Sequence, residues 1–160
     1  MTIERQAEQT LVSLVSPCTS EQQLAVAHGI HTLTCRLMAL DSLACAFLEF
    51  QLTSSRLANA RTDELKRVAE ALSKRLTYLL EPIQPIEIDS NRCIVQMRSN
   101  PPLKDDTSTT YYELLVAKGG ILTLERYRRV VGQYGRDNIP AQVTREVFVR
   151  LVRDFAAVSG

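Results

Sequence analysis

Apolar and polar positions along this 160-residue chain follow one period before Pro82 and a different one after it. Ile3, Ala7, Leu11, Leu14 and Val15 recur at helical spacing, which predicts a short amphipathic helix over about 2–15. Ser16-Pro17-Cys18-Thr19 interrupts it, and Ser20 with Gln23 reads as a capping box for the next helix. Val26, Ile30, Leu33, Leu37, Leu40, Ala44 and Phe47 then follow in alternating steps of four and three, a heptad stripe. The expected element is one long, largely apolar helix over 20–53. At about 1.5 Å per residue it would run roughly 50 Å. A domain of this length has a radius of gyration of about 15 Å, so the helix is expected either to break near Gly29 or to be covered by a second chain. A third helix is predicted from Thr62 or Asp63, with Leu65, Val68, Leu72, Leu76 and Leu79 inward, and it would close an antiparallel helical hairpin.

Pro82 and Pro85 end helical structure. Ile86 and Ile88, then Cys93, Val95 and Met97, alternate with polar residues around the turn-forming Ser90-Asn91, predicting a first β-hairpin. After a polar loop over 99–108, two strand-like runs flank Gly119-Gly120, the strongest hairpin signal in the chain. With those glycines as a two-residue turn, Glu113 faces Arg126, Leu115 faces Leu124 and Tyr112 faces Tyr127. A loop over 132–138 leads to a last helix capped by Thr144 and carrying Val147, Phe148, Leu151, Val152 and Phe155. The fold class that follows is α+β: an N-terminal helical hairpin (a short helix plus two long ones), a four-stranded antiparallel meander, and a C-terminal helix packed on the sheet. The regions divide at 1–81 and 82–160, two lobes or one continuous domain.

Composition adds limits. A net charge of +1 removes any global electrostatic case for nucleic acid or anionic membrane. From Asn91 onward there are 11 Lys/Arg against 7 Asp/Glu, a modest basic lean. Cys18, Cys35, Cys45 and Cys93 match no zinc-ribbon spacing. The first residues lack a basic-then-apolar leader, so reduced thiols and a cytoplasmic location are expected.

Three groups carry candidate chemistry. The helix stripe Val26, Ile30, Leu33, Leu37, Leu40 and Phe47 holds more apolar surface than one helix and a sheet can cover, so a homodimer or another protein partner is expected there. His28, His31 and Cys35 would share one face of the same helix, a spacing that can converge on a transition metal. Their fourth ligand is missing locally, so hydrogen-bonded residues in a helix interface are preferred and neither metal nor cofactor is assigned. Tyr111, Arg126 and Arg128, with Arg98 and Arg92, form an Arg/Tyr surface that could stack bases and neutralise phosphates. Glu113 interrupts that surface, which favours a solvated strand end with cross-strand ion pairs. No nucleophile elbow, phosphate-cradling glycine loop or His-Glu-x-x-His motif is present. The expected function is therefore a non-catalytic interaction or adaptor domain. The alternatives are a small-molecule or peptide sensor with a pocket between sheet and helices, and a weak single-stranded nucleic-acid binder. No membrane association is expected.

Overall fold

Residues 20–53 form three β-strands and no helix. The computed structural model describes all 160 residues and places β1 at Gln22–His28, β2 at His31–Leu40 and β3 at Ala44–Ser54. Two of the three odd steps in the heptad stripe fall at irregularities of a sheet, and the third, Ala44 to Phe47, joins opposite faces of one strand. Ile30 lies in the tight turn in which Gly29 takes φ +59°, so the step to Leu33 starts outside the strand, and the step from Leu37 to Leu40 crosses a β-bulge. Asp41 is a turn residue between β2 and β3. Its Oδ1 accepts from the Leu43 and Ala44 amides at 2.8 Å each. Between the irregularities the true period is two. Leu24 and Val26, Leu33 and Cys35, and Phe50 and Leu52 are buried, while Ala25, Ala27 and Thr32 between them are exposed. Thr32, Thr34 and Thr53 are β-branched residues suited to such a pleated, half-buried surface.

The helical hairpin is therefore corrected to three helices that do not stack as a pair of long rods: α1 (Ile3–Ser13), α2 (Thr62–Arg75) and α3 (Arg145–Ser159). No helix is long and apolar enough to cross a membrane. Further strands are β4 (Ile83–Asp89), β5 (Ile94–Ser99), β6 (Leu103–Lys104), β7 (Ser108–Ala117), β8 (Ile121–Val130), β9 (Asp137–Ile139) and β10 (Ala141–Thr144). The predicted four-stranded meander is corrected to one ten-stranded sheet. Its main path runs β1-β2-β3-β8-β7-β5-β4, every pairing is antiparallel, and β6, β9 and β10 attach at its margins. The pairing of β3 with β8 joins the two halves of the chain.

All three helices lie on one face. α1 packs on α3 and β1, α2 on β4 and β5, and α3 on β3. Ile3, Ala7 and Leu11 of α1, Leu65, Val68 and Leu72 of α2, and Phe148, Leu151, Val152 and Phe155 of α3 meet the inward side of the strands. Phe50 sits at the centre, 5.0 Å from the Phe155 ring and 5.6 Å from the Phe148 ring, both edge to face. A single core of 34 buried residues results. It contains Val26, Leu33, Leu37, Leu40 and Phe47. Five of the six proposed association residues are thus consumed by the chain's own interior, and Ile30 is a half-exposed turn residue. The oily excess that called for a second chain does not exist, because a strand hides its apolar residues on one side of a sheet.

The Gly-Gly hairpin forms with a register one residue away from expectation. Its loop has three residues, Lys118, Gly119 and Gly120, so Ala117 pairs with Ile121, Leu114 with Leu124, Glu113 with Glu125, Tyr112 with Arg126 and Tyr111 with Tyr127. A one-residue slip changes which side chains share a face. Tyr112 and Arg126 consequently point to the helices, while Tyr111, Glu113, Glu125 and Tyr127 point the other way.

Candidate functional site

The face of the sheet opposite the helices has no covering layer, and its side chains fall into cross-strand rows. Antiparallel sheets tolerate one solvated face, and two rows here fit that description. One row reads Ile94, Ala117, Ile121, Thr53, Thr32 and Ala27, and the next reads Gln96, Leu115, Thr123, Gln51, Thr34 and Ala25. The third departs from it, because Arg98, Glu113 and Glu125 lie side by side on β5, β7 and β8.

Glu113 is the centre of this arrangement. It is 5% exposed although it stands on the open face. Gln96 Nε2 donates to Oε1, Arg98 approaches Oε1 at 3.7 Å, and Arg136 donates to Oε2 at 2.8 Å. Arg136 comes from the loop after β8. Its guanidinium lies 3.6 Å over the Tyr127 ring and also donates to Tyr111 Oη at 3.1 Å. Arg98 stacks over Tyr111 at 4.8 Å, and the Tyr111 and Tyr127 rings are 6.1 Å apart. Two guanidiniums and two phenols are therefore locked around one carboxylate. Burial, with Glu125 next, pushes the Tyr127 phenol up to about 12.

Glu125 is the strained member of this group. Burial holds its pKa above the ordinary carboxylate value, and Glu49 and Glu113 push in the same direction. Asn138 Nδ2 donates to its Oε2 at 3.0 Å. A pKa raised in the folded state adds stability at pH values below the unfolded pKa and loses that contribution as pH rises through the folded one. Glu125→Gln is thus expected to raise stability at pH 7 and to give no gain below about pH 4, where the wild-type carboxyl is protonated in both states. Urea denaturation at the two pH values checks this, and a variant less stable than wild type at pH 7 would contradict it.

The Arg/Tyr surface foreseen in the sequence is split between two faces. Tyr111 and Arg98 belong to the open face. Arg126 is on the helix face, where it stacks 4.4 Å over Tyr112 and pairs with Glu81 at 2.9 Å, both partners of the pair being largely buried. Arg128 is exposed and lies opposite Asp137 of β9. Arg92 sits in the turn between β4 and β5 and lines a cleft of about 290 Å³ beside Arg136 and Tyr127. Arg136 was missed because an isolated loop arginine carries no sequence signal. Glu113, read as an interruption of a basic patch, is what organises it.

The histidine and cysteine group does not assemble. His28 and His31 face each other across the β1–β2 turn, but Cys35 lies four residues along β2, about 13 Å from His31. No group of three or more His, Cys, Asp or Glu is disposed to hold a metal. His28 Nδ1 is 3.0 Å from Gln6 Nε2 and His31 Nε2 is 3.2 Å from Ser159 Oγ. Burial, then the Arg56 charge, lowers the His31 pKa. All four cysteines are free. Burial pushes the Cys45 thiol up to about 12 and also raises that of Cys35. The principal clefts open at the surface, and none separates the sheet from its helices.

These features define the chain as an α+β protein with one bare sheet face and a rigid Arg–Tyr–Glu cluster upon it. No protein-family model, curated protein or solved structure matches it.

Proposed function

We propose that this chain is a non-catalytic interaction domain that pairs with a second copy of itself through the open sheet face. The observation that carries the reading is the preorganised cluster of Arg98, Arg136, Tyr111 and Tyr127 around Glu113. Arg and Tyr dominate the energetics of protein interfaces, and they contribute most when held in place before binding. Each of these side chains is already fixed by a neighbour, so little rotamer freedom remains to be lost on association.

Area and charge favour a second copy as the partner. Seven strands about 4.8 Å apart, running from about 20 Å to about 36 Å, make a face on the order of 900 Å². A standard stable interface takes about 800 Å² from each partner. The face carries Arg36, Arg98 and Arg136 together with Glu49, Glu113 and Glu125, so both signs are present. A two-fold contact sets the same patch against itself and needs such internal complementarity.

Thr123 lies on this face near the start of β8, a central strand of the sheet, and is half-buried. Thr123→Arg should abolish self-association, whereas Val12→Arg on the exposed side of α1 should leave it intact. Sedimentation equilibrium over micromolar to high-micromolar concentrations reads both. A strictly monomeric wild-type chain across that range would sink the proposal.

A further inference from the structure

We infer that the cleft where β5, β6, β7 and β8 converge is a binding site for a phosphate group. This goes beyond self-association, with which it shares Arg98 and the open sheet face, so the two would compete. The cleft has a volume of about 480 Å³ and its lining includes Arg98, Lys104 and Arg129 but no carboxylate. Lys104 pairs with Thr109, and Thr109 with Arg129, so the three side chains form one row on the open face with the hydroxyl in the middle. The two cationic positions are two strand spacings apart, about 10 Å. Long lysine and arginine side chains can close that gap onto one anion.

These cations are uncommitted. Lys104 and Arg129 make no ion pair in the structure, whereas six other arginines do. The carboxylate next in sequence to Lys104 is Asp105, which is engaged by the amides and hydroxyls of Thr107 and Ser108. Arg98 is half-engaged. Its terminal nitrogen reaches Glu113 at only 3.7 Å, and its Nε is buried with no acceptor. A buried donor without a partner is unfavourable, and a phosphate oxygen is the acceptor that suits a guanidinium edge. Lys104 and Arg129, gathered without a counter-charge, repel one another, and a bound dianion relieves that repulsion.

The cleft is larger than inorganic phosphate requires, and Ile86 and Pro102 give it an apolar wall. The geometry therefore suits a phosphate carried on a small organic group. Free phosphate shares the same chemistry and serves as the first probe.

The test is an NMR titration of the isotopically labelled full chain at constant ionic strength, with inorganic phosphate and with phenyl phosphate replacing chloride. The amides of Lys104, Thr109 and Arg129 should shift and saturate. Tighter binding of phenyl phosphate supports an organic phosphate as the natural ligand, and equal affinity supports free phosphate. Lys104→Gln and Arg129→Gln alter exposed residues and should each weaken binding at least tenfold, while Arg153→Gln on α3 should not change it. Shifts that fail to saturate, or saturation unaltered in both cleft variants, would overturn the inference. So would an oligonucleotide that binds where neither phosphate compound gives a saturable shift.

Discussion

Gly120→Ala is expected to be among the most damaging single substitutions in this chain, and Gly119→Ala a much milder one. Both glycines have positive φ, +89° at Gly119 and +75° at Gly120, so each alanine meets the left-handed penalty of about 1–2 kcal/mol. The surroundings then separate them. A Cβ on Gly119 would meet nothing closer than the flexible end of Ile121, at 3.7 Å. A Cβ on Gly120 would lie 2.3 Å from the backbone oxygen of Ser54 and 3.0 Å from Leu57 Cβ. That backbone cannot simply withdraw, because the Ser54 amide donates to the Gly120 carbonyl at 2.9 Å. Ser54 is itself fully buried, with its hydroxyl donating to the Ser159 carbonyl at 2.6 Å. A total loss on the order of 3–5 kcal/mol follows for Gly120→Ala. Urea denaturation of the two variants measures it. Equal losses would mean that the hairpin loop does not press against the end of β3.

The second large effect is expected at Glu113. Removing one member of a buried, hydrogen-bonded charge group leaves the others uncompensated, which costs about 3–5 kcal/mol when all are buried. Here the Arg98 and Arg136 side chains retain 38% and 31% exposure, so water takes over part of the lost interaction. A loss of about 2 kcal/mol is the discounted expectation for Glu113→Ala. Arg136→Ala should cost less, and the double variant should lose less than the sum of the two singles, since the pair acts as a unit. Self-association should weaken in parallel, because Tyr127 and Tyr111 lose the guanidinium that positions them. A Glu113→Ala variant as stable as wild type would show that the cluster holds nothing in place.

Much of the secondary structure was legible where a single period ran unbroken. The spacing of Ile3, Ala7 and Leu11 gives α1, and that of Leu65, Val68 and Leu72 gives α2. Thr144 does cap α3, accepting from the Val147 amide at 3.0 Å. The stretch 20–53 was misread because turns and a bulge inserted odd steps between even ones, and the resulting sequence of fours and threes imitates a heptad. The finer signal lay in Thr32-Leu33-Thr34-Cys35, an alternation with β-branched residues on one side. In the Gly119-Gly120 hairpin the turn was evident but its length was not. One additional loop residue, Lys118, moved Arg126 from the open face to the helix face.

The candidate site shows the same division. Local sequence determined that residues 111–129 make a hairpin rich in arginine and tyrosine, and that the stretches now seen as α1, α2 and α3 carry apolar stripes, while it wrongly added a fourth helix over 20–53. Tertiary structure alone decided that Glu113 lies under Arg136, that Lys104 and Arg129 share a row, and that Val26 to Phe47 are interior. The physical reason is that periodicity is set by bonded neighbours along the chain. Which face a strand buries, and which distant charges meet there, is set by register and by loops that return from far away in sequence.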